Sequence, residues 1–230
     1  MKKMIKKVDY TSLVGDETFE GLKEICKNAV EYKVASVCVY PKDVNVVSKF
    51  LENSGVKTCS VVSFPYGNDS TDEKCIETLK AIRDGADEID MVFDYRKLMN
   101  FGDEYELYQD VKKVKQICSI FGKTLKVIIE SGLLSEEQTR RATEISIKGG
   151  ADFVKTSTGK VSVGAEIEKV KVIYETIYSL GLMGNVKIKA SGGIRTKEDM
   201  ELFNPFVDRF GMGYGSIDNI MKGTKKETVY

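Results

Sequence analysis

Short β-branched runs alternate with amphipathic stretches eight times along the 230 residues, with a period of about 25–30 residues. That repeat predicts an α/β fold, a single closed (β/α)8 (TIM) barrel, with an open doubly wound sheet as the alternative. Two further observations agree with the barrel. The length is usual for that fold, and the chemically unusual residues gather at the ends of the predicted strands. No internal boundary is visible, so residues 1–222 are read as the catalytic barrel and residues 223–230 as a polar, mobile tail.

Taken in order, residues 4–9 form a weak first strand ending in Asp9-Tyr10-Thr11. Residues 16–32 read as a helix, with Phe19, Leu22, Ile25 and Val30 at helical spacing and Asp16 as N-cap. Residues 35–40 are a second strand stopped by Pro41, and residues 43–53 a helix closed by Ser54-Gly55. A third strand, 57–64, stops at Pro65. It is followed by a helix over 71–84 and a fourth strand over 88–93. A long helix over 103–121 ends at Gly122 and leads to a fifth strand, 125–130. Ser135 and Gln138 form a capping-box signature at the start of a helix over 135–148. The sixth strand lies in 150–155, then come a helix over 165–180, a seventh strand over 186–190, a helix over 196–203, a weak eighth strand over 208–212 and a last helix from 216.

Composition narrows the chemistry. Lys plus Arg and Asp plus Glu are both 35, so no global field points to nucleic acid or a membrane surface. The N-terminus lacks the apolar run of a signal peptide and no stretch is apolar enough to span a bilayer, so a cytoplasmic location is expected. The five cysteines are widely spaced with no C-x-x-C pair, which predicts reduced thiols rather than a disulfide framework or zinc site. Histidine is absent. Catalytic triads, imidazole bases and His-ligated metals are thereby excluded, leaving Lys, Asp, Glu, Tyr, Cys or water to move protons. No metal and no cofactor is expected.

The central stretch is Gly150-Ala-Asp-Phe-Val-Lys-Thr-Ser-Thr-Gly159, a strand ending in Lys155 before a small-residue turn. Strand alternation puts Phe153, Lys155 and Ser157 on one face. A lysine there is costly to bury without a task. The pattern recurs in Val186-Lys-Ile-Lys-Ala-Ser-Gly-Gly193, where Lys189 closes the next strand and Lys187 shares its face. Two converging ammonium groups are expected to lower each other's pKa, as a Schiff-base amine requires. Glu88 and Asp90 share a face of the fourth strand; Asp90 reads as a proton relay or as an ion-pair partner of Lys126 or Lys189. Asp9 reads as a partner that orients Lys189. Gly192-Gly193-Ile194-Arg195 and Gly213-Tyr214-Gly215-Ser216 follow the seventh and eighth strands, where barrel enzymes commonly hold phosphate on free N–H groups. Lys160 adds charge nearby. Tyr230, the last residue, reads either as a frayed end or as a hydroxyl that dips into the barrel mouth. These residues fit three classes of protein: a Schiff-base enzyme, a non-covalent phosphosugar isomerase or epimerase using Asp90 or Glu130 as base, and a non-catalytic phosphosugar-binding barrel.

Seven segments together resemble the deoxyribose-phosphate aldolase family: Asp9-Tyr-Thr-Ser-Leu13, Val37-Cys-Val-Tyr-Pro41, Phe64-Pro-Tyr-Gly67, Ala86-Asp-Glu-Ile-Asp-Met-Val92, Leu125-Lys-Val-Ile-Ile-Glu130, the 150–159 segment and Lys189-Ala-Ser-Gly-Gly-Ile-Arg195. The resemblance implies a class I aldolase that reversibly cleaves 2-deoxy-D-ribose 5-phosphate to D-glyceraldehyde 3-phosphate and acetaldehyde, in deoxyribonucleoside catabolism. It implies that Lys155 forms the imine, that Lys189 tunes it and exchanges protons, and that Asp90 relays the proton at the acetaldehyde carbon. It further implies that Asp9 supports Lys189, that Cys38 and Thr158 lie near the sugar, and that Lys160, Gly192, Gly193, Arg195, Gly213 and Ser216 hold the phosphate. Tyr230 matches a terminal tyrosine of some relatives that assists proton transfer. The partners implied are small phosphosugar and aldehyde substrates, with a homodimer as the family-level expectation. Asp94 and Gly215 depart from the family, which often has proline and serine there.

Overall fold

The structure is a computed structural model describing residues 1–101 and 104–223; Tyr230 and the rest of the expected tail beyond Gly223 lie outside the described residues. Eight parallel strands close on themselves in sequence order: β1 Val8–Thr11, β2 Ser36–Val39, β3 Lys57–Val62, β4 Glu88–Val92, β5 Thr124–Ile128, β6 Phe153–Lys155, β7 Lys187–Ser191 and β8 Arg209–Gly213. β8 returns to pair with β1, with Asp9 opposite Gly211. The expected barrel is therefore the observed one, and the open sheet is excluded.

The helices are α1 Lys2–Ile5, α2 Phe19–Tyr32, α3 Val44–Phe50, α4 Thr71–Arg83, α5 Tyr95–Phe101, α6 Glu104–Ile120, α7 Glu136–Lys148, α8 Ile167–Ser179, α9 Lys197–Phe203 and α10 Tyr214–Lys222. Each of the capped starts has a local cause. Ser135 accepts from the Gln138 N–H while Gln138 accepts from the Ser135 N–H; Ser70 with Glu73 and Thr196 with Asp199 repeat the motif. In α2, Leu22, Ile25, Cys26 and Ala29 form the buried stripe. No helix among the described residues is long and apolar enough to cross a membrane.

Several boundaries differ from the sequence reading, and three of the differences have a local cause. The first strand begins at Val8 because residues 2–5 coil into α1, which buries Met4 and Ile5. α2 starts three residues late: Thr18, not Asp16, accepts the Gly21 N–H at 3.1 Å. The segment after β4 forms the extra helix α5, which begins just after Asp94 accepts the Lys97 N–H.

Alternation along the strands divides the protein into two layers of different chemistry. Val37, Val39, Ile89, Met91, Val127, Val154, Ile188 and Ala190 face outward into one apolar core beneath the helices. The opposite faces carry Asp9, Glu88, Asp90, Lys126, Lys155, Lys189 and Arg209 into the barrel interior, where all but Arg209 are buried. A barrel interior is usually filled by branched apolar side chains. Here much of it is filled by ions, and that is what needs explaining.

Candidate active site

Lys155 and Lys189 are direct Cα partners on β6 and β7, and Asp90 is the partner of Lys126 on β5. The register places the three ammonium groups around one carboxylate. Asp90 Oδ2 accepts from Lys155 Nζ and Lys189 Nζ, both at 2.7 Å, and Asp90 Oδ1 accepts from Lys126 Nζ at 2.8 Å. Lys189 also lies 2.5 Å from Asp9 Oδ2. Below this layer, Arg209 spans Asp9 Oδ1 at 2.5 Å and Glu88 at 3.2 Å, and Lys126 meets Glu88 at 2.6 Å. Four buried or half-buried cations thus face three carboxylates, each charge held by at least one opposite charge, as burial demands.

The electrostatics of Lys189 run opposite to the expectation. Burial alone pushes the Lys189 ammonium toward neutrality, but Asp9 and Asp90 outweigh it and hold its pKa above the usual lysine value. The expectation that both converging lysines would be driven neutral is corrected for Lys189. The reason is that a carboxylate sits between them and another behind. Asp90 shows the converse: burial raises its pKa, but Lys126, Lys155 and Lys189 hold it well below the ordinary carboxylate range. Asp9 is likewise held down, against burial, by Lys126, Lys189 and Arg209.

Above the ionic layer opens a cavity of ≈ 360 Å³, the size class of a small-ligand site. Lys155 lines it; Lys189 does not. Thr158, Lys160, Gly192, Gly193, Arg195, Gly213 and Ser216 line it too, so the residues named from the two glycine turns converge with the lysine. Gly192 and Gly193 have φ of +83° and +80°, backbone positions that suit glycine. The N-terminus of α10 follows Gly213 directly, and its first N–H groups have no partner within the helix. Lys160 Nζ donates to the Leu13 carbonyl at 2.7 Å, tying the loop after β6 to the loop after β1. Asp9, Cys38, Asp90 and Lys189 lie beneath the cavity floor, each with no exposed surface. Lys187, on the same strand face as Lys189, sits at the far end of the barrel, its ammonium over the Phe153 ring.

Against known proteins, the sequence model of the DeoC/LacD family aldolases matches residues 3–208. The chain belongs to that family. It is 43% identical over 211 residues to a deoxyribose-phosphate aldolase from Finegoldia magna, covering 91% of this chain and 95% of the relative. A structure from Coccidioides immitis, described as a candidate deoxyribose-phosphate aldolase, superposes with a TM-score of 0.89 at 33% identity, covering 98% of this chain and 87% of that one. The tetrameric deoxyribose phosphate aldolase of Aeropyrum pernix superposes with a TM-score of 0.86 at 26% identity, covering 97% and 92%. As an aldolase, the protein is a carbon–carbon lyase.

Three features of the candidate site escaped the sequence reading. Arg209 opens a weak strand, and nothing local marks it as the ion that joins Asp9 to Glu88. Glu130, named only as an alternative base, has φ +52° and is turned so that its carboxylate accepts the Thr158 Oγ1–H at 2.5 Å. Gly211 lies where a Cβ would come within 3.0 Å of Lys189 Cε, so its missing side chain makes room for that lysine. The signal was present for Gly211, a glycine inside a strand, which often marks close approach.

Proposed function

We propose that this aldolase cleaves 2-deoxy-D-ribose 5-phosphate through an imine on Lys155. The observation that carries the assignment is that Lys155 is the one of the two paired lysines that lines the cavity, while Lys189 is enclosed between Asp9 and Asp90. In the sequence of steps, the Lys155 amine adds to the C1 aldehyde and water leaves, giving the imine. A base takes the C3 hydroxyl proton, the C2–C3 bond breaks, and its electron pair moves into an enamine as glyceraldehyde 3-phosphate departs. A proton is then delivered to C2, and hydrolysis frees acetaldehyde and the lysine. Asp90 contacts both amines through Oδ2 and relays these protons with a water, and Lys189, kept charged, supplies positive potential and a proton donor. Asp9 positions Lys189.

The phosphate is placed on the N–H groups at Gly192, Gly193, Gly213 and the first turn of α10, with Ser216, Lys160 and Arg195 around it; the shared cavity wall supports this. Thr158 borders the sugar, held by Glu130, and Cys38 lies below. Tyr230 keeps the role of a C-terminal proton carrier as a proposal resting on sequence likeness. The five unpaired cysteines among the described residues fit a reducing cytoplasm. The chain is proposed to associate into a homodimer, which sedimentation velocity decides: a monomer at working concentration removes it.

The test is covalent trapping. Acetaldehyde followed by borohydride should leave a two-carbon adduct on Lys155, seen by peptide mapping, and none in Lys155→Leu. An adduct on Lys187 instead, or none on folded protein, would remove the imine reading in favour of a non-covalent barrel enzyme with an acidic base.

A further inference from the structure

Cys38 on β2 and Cys59 on β3 are direct Cα partners in the parallel pairing. Directly opposite residues on neighbouring strands project to the same face, and here that face is the barrel interior. Cys59 Sγ–H donates to Asp90 Oδ1 at 3.2 Å and Lys126 Nζ donates to Cys59 Sγ at 3.3 Å. The two sulfurs and an Asp90 oxygen all lie within 4.8 Å of one another. Neighbouring strands run about 4.8 Å apart, inside the roughly 4.4–6.8 Å Cα separation that a disulfide spans. The remaining cysteines, Cys26, Cys75 and Cys118, sit on α2, α4 and α6, outside the barrel.

The pair is chemically unequal. Its contact with the Cys59 thiol leads in holding the Cys38 pKa below the usual thiol value, helped by the charges of Lys189 and Lys155. Burial and the Cys38 contact hold Cys59 well above it. A reacting dithiol needs one sulfur as thiolate, and the cationic Lys155 and Lys189 near Cys38 lower the cost of that form there. Leu13 belongs both to the cavity wall and to the small apolar cluster that holds Cys38 and Cys59. The cluster that holds the thiols therefore adjoins the cavity wall through Leu13.

We propose that Cys38 and Cys59 are a modification site, at which a hydroperoxide closes them into a disulfide that reversibly stops the aldolase. The Cys38 thiolate attacks a peroxide oxygen; the O–O bond breaks, giving a sulfenic acid and, once a proton is taken up, water. The Cys59 sulfur then attacks the Cys38 sulfur, the S–O bond breaks, and a second water leaves with the Cys59 proton. Two thiols are oxidised by two electrons and one hydrogen peroxide is reduced to two waters. The disulfide takes the S–H donor from Asp90 Oδ1 and draws Cys59 Sγ away from Lys126, disturbing the carboxylate that the proposed mechanism uses. The loss of activity rests on that reading of Asp90; the formation of the disulfide does not.

The experiment treats the reduced protein with hydrogen peroxide, then follows aldolase turnover and non-reducing peptide maps before and after dithiothreitol. A Cys38–Cys59 linked peptide is expected to accumulate as turnover falls by on the order of tenfold or more, and both are expected to reverse on reduction. In Cys38→Ala, which lacks the sulfur that peroxide attacks first, the fraction of turnover lost and then recovered with dithiothreitol, relative to that variant's own untreated rate, is expected to vanish. No Cys38–Cys59 peptide in the wild-type protein, or a linked protein with undiminished turnover, would overturn the proposal. The wild-type map decides even if the variant folds poorly. Failure of the aldolase reading shows separately, as no turnover and no Lys155 adduct in the untreated protein.

Discussion

Glu130 is held by a partner that its own sequence neighbourhood does not reveal, the Thr158 hydroxyl. Burial pushes its pKa up, against hydrogen bonds from Thr158 and the charge of Lys155. A carboxyl whose folded pKa exceeds its unfolded value of about 4.3 binds its proton more tightly when folded. Its contribution to stability is full below the unfolded pKa and is lost as pH rises through the folded one. Glu130→Gln keeps an acceptor for the Thr158 hydroxyl but removes the titration. The variant is expected to gain stability relative to the wild type as pH rises from about 4 to about 7, read from urea midpoints across that range. Parallel pH profiles for the two proteins would show that the Glu130 carboxyl is not raised by burial. Lys155, Lys189 and Asp90 were legible at this scale because a charged residue on a strand face between apolar neighbours stands out in the sequence itself. The contact of Glu130 with Thr158 and the role of Arg209 were not, because the partners are distant in the chain: Thr158 is 28 positions from Glu130, and Arg209 is 200 from Asp9 and 121 from Glu88.

At the scale of elements, the alternation of strand and helix made the barrel readable, and the strand ends then located the cavity. The capping box at Ser135 appears as expected. What the pattern missed were short pieces whose residues serve two structures equally. Residues 4–8 have the apolar content of a strand, yet Met4 and Ile5 are buried by one turn of helix. The direction of the Lys189 shift was also beyond the pattern, because it depends on which strand lies across the barrel. β8 illustrates the coupling between an element and the site. Its Gly211 stands opposite Asp9 on β1, and a methyl there would meet Ser191 Cβ at 2.7 Å and Lys189 Cε at 3.0 Å. Gly211→Ala is expected to displace the Lys189 side chain from Asp90 and to lower kcat on the order of tenfold or more. Steady-state kinetics on the phosphosugar test this; a change confined to KM would show that the methyl acts on binding instead.

On the scale of the whole barrel, the interior trades an apolar filling for an ionic one, and the trade links stability to catalysis. Lys126 is wholly buried, with Glu88 at 2.6 Å, Asp90 at 2.8 Å and Asp9 at 3.5 Å. Removing one partner from such a group leaves the others incompletely neutralised, which typically costs about 3–5 kcal/mol. Lys126→Met should therefore destabilise the protein by roughly that amount in urea unfolding. The damage should not be evenly shared. Asp90 keeps Lys155 and Lys189, and Glu88 keeps Arg209. Glu88→Gln placed on top of Lys126→Met removes a carboxylate that has lost its nearest cation, so the double variant is expected to be less destabilised than the sum of the two single changes. Strict additivity would mean that Lys126 and Glu88 do not interact despite their separation. Because Asp90 Oδ1 loses a donor in Lys126→Met, turnover should fall in the same variant, and Glu88→Gln should not restore it: Glu88 shares Lys126 with Asp90 but touches neither Lys155 nor Lys189. Stability and activity would then separate within one ionic cluster, the lower layer recovering the fold and the upper layer alone serving the chemistry.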